Sequence, residues 1–220
     1  MKKVLPGLIL SGLFLMLTQP VAAQTASKSP DEAFLEAVEK GDAAMVQQLL
    51  QKGANIEARG KGGYTALIAA SAMGKTDVVK LLLGKGANTD PQDDRGDTAL
   101  HYAVMTANVE IVKLLLDKGA NVQTQEKDGL SPLMLGVVSG SLDIMKMLLE
   151  KGANTEAKDK NGYTALMAAS GGGLTDMVKL LLEKGAKVDA KSDDGTTALK
   201  LATNNGKTDV VKLLQEKGAS

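Results

Sequence analysis

Two kinds of apolar block alternate along this chain. One is long-sided and aliphatic, as in VVKLLL from Val78 to Leu83. The other is made of small residues, as in TALIAAS from Thr65. In both, the apolar positions fall at the three- and four-residue spacing that puts them on one face of a helix. Between successive aliphatic and small-residue blocks lie stretches such as ANTDPQDDRGD from Ala87, rich in turn formers and suited to a protruding, hairpin-like finger.

The alternation keeps a fixed ruler. Gly-Ala begins at Gly53, Gly86, Gly119, Gly152, Gly185 and Gly218, each 33 residues after the last. A hydroxyl residue recurs on the same ruler at Thr65, Thr98, Ser131, Thr164 and Thr197. Two residues later comes Leu67, Leu100, Leu133, Leu166 or Leu199. Such a period marks a stack of identical units rather than one large core. Each unit reads as a helix-turn-helix followed by a finger.

The hydroxyl is placed to cap the first helix by accepting a free backbone N–H, and Pro132 follows one such cap where its missing N–H costs nothing. The break between helices falls at Gly41, Gly74, Gly140, Gly173 and Gly206, with Ala107 in the third unit. The second helix ends in Lys-Gly-Ala at all six exits. The lysine suits the negative helix end, and the glycine can take the left-handed closing conformation. Ser29-Pro30-Asp31-Glu32 predicts a capping box at the start of the first unit. Gln48 and Gln215 stand where other units carry leucine, as the polar outer faces of end units require.

With these blocks in order (G-x-T-A-L, then V-V-x-L-L-L, then G-A-N), the chain resembles the ankyrin repeat family over residues 31–220. The resemblance implies an all-α repeat solenoid of six ankyrin-type units, at about 31–59, 60–92, 93–125, 126–158, 159–191 and 192–220. The family's T-P-L-H block is mostly T-A-L here. Ser131-Pro132-Leu133 keeps the proline and His101 alone keeps the histidine. Lost cap and side-chain bonds are expected to loosen each affected unit by about 0.5–2 kcal/mol.

The start of the chain reads differently. Lys2 and Lys3 precede an apolar run from Val4 to Leu17, and Val21-Ala22-Ala23 supplies small residues for a cut. This is the layout of a secretory signal, expected at residues 1–23, with residues 24–30 as a linker. The run is short of the ~20 residues needed to span a bilayer, so no membrane association is expected after cleavage. The two-lysine signal has a bacterial look, and the expected site is the periplasm, with secretion as the alternative. Removing Lys2 and Lys3 from 26 basic residues leaves 24 against 26 acidic ones, a mature net charge near −2.

Composition narrows the function. Balanced charge argues against nucleic acid, which calls for a basic surplus. The chain has no cysteine and a single histidine, which disfavours disulfides and transition-metal sites. His101 falls at the family's structural histidine and has no nucleophile beside it. Gly171-Gly172-Gly173 lacks the lysine of a phosphate loop, Arg95-Gly96-Asp97 fits an ordinary finger, and Asp90, Asp93, Asp94 and Asp97 lack calcium-loop spacing. The expectation is no enzyme and no cofactor. The lysines at 80, 113, 146, 179 and 212 read as an outward, solvated face.

What the resemblance implies is a monomeric protein-binding module that uses its finger tips and first helices. Three columns carry that surface over. Before the cap stand Tyr64, Asp97, Leu130, Tyr163 and Thr196. Late in the first helix stand Ala72, Met105, Val138, Gly171 and Asn204, then Met73, Thr106, Ser139, Gly172 and Asn205. Tyr64, Met73, Asp97, Met105, Leu130, Val138 and Tyr163 form the expected binding strip, with both tyrosines exposed and Phe34 and Tyr102 buried. The expected partner is a folded protein of the cell envelope, such as a cell-wall hydrolase inhibited by the module. A scaffold stabilising an antioxidant enzyme, or a secreted effector, is the alternative.

Overall fold

The 33-residue ruler becomes a row of helical hairpins. The computed structural model describes residues 28–220, so the expected signal and most of the linker lie outside the described residues. Twelve α-helices occur there in six successive pairs: α1 (Pro30–Lys40) with α2 (Ala43–Gln51), α3 (Ala66–Ala72) with α4 (Thr76–Gly84), and α5 (Ala99–Met105) with α6 (Val109–Asp117). They continue as α7 (Pro132–Val138) with α8 (Leu142–Glu150), α9 (Ala165–Gly172) with α10 (Thr175–Glu183), and α11 (Ala198–Asn204) with α12 (Thr208–Glu216). First helices pack on first helices and second on second, so two layers run the length of the stack. None of the described helices is long and apolar enough to cross a membrane.

Sequence dictates where each helix begins. Thr65, Thr98, Ser131, Thr164 and Thr197 each accept the backbone N–H three residues on, at 3.2–3.4 Å. Ser29 and Glu32 form the reciprocal capping box at α1. The caps therefore survive the departure from T-P-L-H. What the units capped at Thr65, Ser131, Thr164 and Thr197 lack is the second bond that His101 makes, its Nδ1 accepting the Thr98 N–H at 3.1 Å.

The turn between paired helices needs a left-handed residue, and glycine supplies it at Gly41, Gly74, Gly140, Gly173 and Gly206. Ala107 holds the same conformation at φ 52°, among the described residues the sole non-glycine with positive φ. Its neighbour Asn108 partly offsets that strain by accepting Ile111 N–H at 3.0 Å, a cap that Lys75 and Lys207 do not provide.

A continuous apolar core fills the space between the layers. Leu67, Leu100, Leu133 and Leu166 are each at most 2 % exposed, joined by Val79, Leu82, Val112, Leu115, Met145, Leu148, Val178 and Leu181. Leu199, in the last pair, is half-buried.

The fingers carry a second framework. Each N–H at Asp94, Lys127, Lys160 and Asp193 donates to a carbonyl of the preceding finger (Gly62, Arg95, Asp128 and Asn161) at 2.8–3.1 Å. Side chains at 59, 92, 125 and 158 reach forward to the carbonyl 33 residues on: Arg59 to Gln92, Gln92 to Gln125, Gln125 to Lys158 and Lys158 to Lys191, at 2.8–3.3 Å. A third row accepts N–H groups 31 residues downstream, through Glu57, Asp90, Gln123, Glu156 and Asp189.

Candidate protein-binding groove

Along the first-helix side, the finger residues and the exposed ends of α1 and α3 enclose a hollow of about 520 Å³. Its walls include Leu35, Ala69, Ala72 and Met73 from the helices and Tyr64 from the finger. Glu39 and Lys61 also line it. Small residues at 69 and 72 leave the space, and the long side chains of Leu35, Tyr64 and Met73 bound it. The mixture suits an apolar anchor with polar surroundings.

The residues expected to form the strip separate into three groups. Met73, Met105 and Val138 are strongly exposed, at 52 %, 46 % and 76 %. All three stand at the ends of first helices, where the chain turns and no neighbour covers them. Tyr64, Leu130 and Tyr163 are half-buried. The expectation that both tyrosines are exposed is corrected: each leans on its own stack. Tyr64 lies 5.6 Å from Tyr102, ring centre to ring centre, and their hydroxyls hydrogen-bond at 2.7 Å. Tyr163 donates its backbone N–H to Asp159, which fixes it at the finger's base.

Asp97 does not belong to the strip. It is 5 % exposed. Its backbone N–H donates to Asp93 at 2.9 Å, and its carboxylate meets Arg95 Nε at 3.4 Å. Burial first, and then the neighbouring Asp93 charge, push the Asp97 carboxyl above its usual range, against the pull of Arg95. The position just before the cap, filled by tyrosine, leucine or threonine in the other units, is a buried aspartate here.

Asp93 organises that turn. It accepts N–H groups from Arg95 and Asp97 and the Tyr102 hydroxyl at 2.7–2.9 Å. Glu126 and Asp159 repeat the backbone part of this arrangement in the next two fingers. The Tyr102 hydroxyl also takes a hydrogen bond from Arg95 Nη2, while the guanidinium carbon stands 5.6 Å from the ring centre. Burial, with Tyr64 and Asp93 beside it, pushes the Tyr102 hydroxyl far above its usual titration range, so it stays a donor. Arg95-Gly96-Asp97 is thus committed to holding its own finger together. Asp93 is committed in the same way, and Asp90 accepts the backbone N–H of Asn121 in the next unit.

Phe34 and Tyr102 are buried as expected, at 0 % and 7 %. His101 is buried too, and burial lowers its imidazole pKa, opposed by the backbone of Leu130 and Thr124. The glycines at 171 and 172 close α9, and Gly173 is its left-handed cap at φ 72°. The lysines at 80, 113, 146, 179 and 212 are exposed on the second-helix layer. Lys80 pairs with Glu110 of the neighbouring unit at 2.6 Å.

A family model described as ankyrin repeats (3 copies) matches residues 10–93, 34–126, 86–159 and 134–220, in overlapping copies that cover most of the chain. The chain belongs to the ankyrin-repeat family. Ankyrin repeats are protein–protein interaction modules, typically non-enzymatic scaffolds, so a protein partner follows from membership. No curated protein matches the chain.

Leu35, Glu39, Gly60, Lys61 and Ala69 line the hollow but escape the columns drawn from the ankyrin pattern. Leu35 and Glu39 belong to the first unit, ahead of Tyr64, where the columns begin. The ruler itself reaches them, since Leu35 is 33 residues before Ile68 and Glu39 is 33 before Ala72. Starting the count at α1 rather than at Tyr64 was the available signal.

Proposed function

We propose that this ankyrin protein is exported to the periplasm after losing residues 1–23, and there docks one folded envelope enzyme along its groove and inhibits it. A cell-wall hydrolase is the enzyme class that fits the proposed compartment. The observation that carries the docking surface is the row Met73, Met105 and Val138, three large apolar side chains left in water by three successive units. Covering a valine or methionine side chain stabilises a complex by about 1.5–3 kcal/mol, enough for a few such residues to anchor an interface. The half-buried Tyr64 and Leu130 extend the same surface and bring little ordering cost, because the stack already fixes them.

The test is capture from periplasmic extract by the wild-type chain and by the variant Met105→Glu/Val138→Glu. Both sites are exposed, so the variant should fold normally by circular dichroism. The wild type should recover one enzyme and the variant should lose it. Equal recovery by both removes the groove from the reading. Adding purified protein to the recovered enzyme then separates the roles: a fall in activity supports inhibition, and a longer active lifetime supports a stabilising scaffold instead.

A further inference from the structure

We propose that the thioethers of Met73 and Met105 are oxidation sites through which a hydroperoxide switches the groove from apolar to polar. The inference rests on the docking role above and adds a chemical control to it.

The methionines of the described chain fall into distinct environments. Met134, Met145, Met167 and Met177 are at most 5 % exposed and belong to the core. Met45, Met73 and Met105 are 43 %, 52 % and 46 % exposed. Thioether oxidation requires an oxidant to reach the sulfur, so the exposed three react first. Of these, Met73 closes α3 and lines the hollow with Tyr64 and Leu35, and Met105 ends α5 in the next unit. Met45 lies near the start of α2, in the second-helix layer, away from the hollow's walls.

The reaction is balanced by hydrogen peroxide alone. The sulfur lone pair attacks one peroxide oxygen, the S–O bond forms as the O–O bond breaks, and sulfur loses two electrons. The departing hydroxide takes the proton of the transferred hydroxyl and leaves as water. The product is a sulfoxide, which turns a flexible apolar side chain into a polar acceptor. An apolar segment seated against Met73 would then cover an oxygen stripped of water, a mismatch that weakens binding by about tenfold or more for each such group. Because the sulfurs stand outside the core, the solenoid itself keeps its fold.

The experiment treats the purified protein with limiting hydrogen peroxide, maps sulfoxides by peptide mass spectrometry, and titrates an anilinonaphthalene sulfonate dye as a probe of the apolar hollow. Wild type, Met45→Leu and Met73→Leu/Met105→Leu are each compared with their own untreated form. The proposal expects an added oxygen at Met73 and Met105, none at Met134 or Met145, and unchanged circular dichroism. Dye affinity should fall about tenfold on treatment of the wild type and of Met45→Leu, and hold in Met73→Leu/Met105→Leu. Core methionines reacting as fast, untreated protein failing to bind dye, or the double leucine variant losing affinity like the wild type would each overturn it. Failure of the docking reading looks different: Met105→Glu/Val138→Glu would still capture the same enzyme, whatever the dye shows.

Discussion

The side-chain amide of Gln123 binds the exit of the next unit at two points: its Oε1 accepts the Asn154 N–H at 3.1 Å, and its Nε2 donates to the Gly152 carbonyl at 2.7 Å. Glu57, Asp90, Glu156 and Asp189 occupy equivalent positions and accept N–H groups in the same way. Stability of such a stack is a sum of unit terms and joint terms, so a residue that serves only the joint is informative. Gln123→Ala should lower the stability measured by urea unfolding by about 1 kcal/mol, since both bonds lie near the surface and water replaces part of them. A midpoint unchanged from wild type would show that the row is decoration.

Ala107 is strained where the other units use glycine. A left-handed backbone costs an L-residue about 1–2 kcal/mol, and glycine escapes it while adding some chain entropy to the unfolded state. Ala107→Gly should therefore raise the urea midpoint, with a net gain of about 0.5–1 kcal/mol. A lowered midpoint would mean that the Asn108 cap already relieves the turn.

His101 makes stability depend on pH. Its ordinary pKa is near 6.5 and burial lowers it in the folded chain, so the unfolded chain binds the proton more readily. Its contribution is complete above about pH 6.5 and is lost as pH falls through and below that value. Met134 and Met167 occupy the same register, which makes His101→Met a natural replacement. Unfolding free energies taken from pH 7.5 to 5 should fall less steeply for His101→Met than for wild type. Parallel curves would remove the imidazole from the account.

Ser71 and Ser170 bury hydroxyl oxygens that have no hydrogen-bond partner, in a register where Val38, Val104 and Val137 stand. An unmatched buried hydroxyl costs about 1–3 kcal/mol, partly regained as packing. Ser71→Ala should be stabilising by about 1 kcal/mol in thermal unfolding followed by circular dichroism. Destabilisation would point to a bond that the oxygen makes in solution.

Most of the scaffold was legible because its signals are strictly local and repeated. The caps at Thr65 and Ser131, the capping box at Ser29 and the left-handed glycines need only the identity of a few neighbouring residues. The binding strip was less so. Met73, Met105 and Val138 are exposed because each stands at the end of a first helix, where the chain turns. Asp97 was misplaced because its burial depends on Asp93, Arg95 and Tyr102 acting together, and the third unit alone has all three. Tyr64 was drawn as free because its partner, Tyr102, lies 38 residues away in the next unit. The joint-forming row at 57, 90, 123, 156 and 189 was visible on the ruler as an unbroken series of side-chain oxygens. Its purpose emerges only when the N–H groups 31 residues on are seen against it.

The finger bonds from Asp94 to Gly62, Lys127 to Arg95, Lys160 to Asp128 and Asp193 to Asn161 each use main-chain atoms, which every amino acid but proline supplies at the donor position. The donor positions 94, 127, 160 and 193 can therefore change side chain, proline apart, without losing these bonds, whereas Gly63, Gly96, Gly129 and Gly162 are fixed by a left-handed backbone and by the next finger packed where a side chain would go. One rim of the groove can be rewritten by mutation to suit a new partner while its geometry is inherited unchanged.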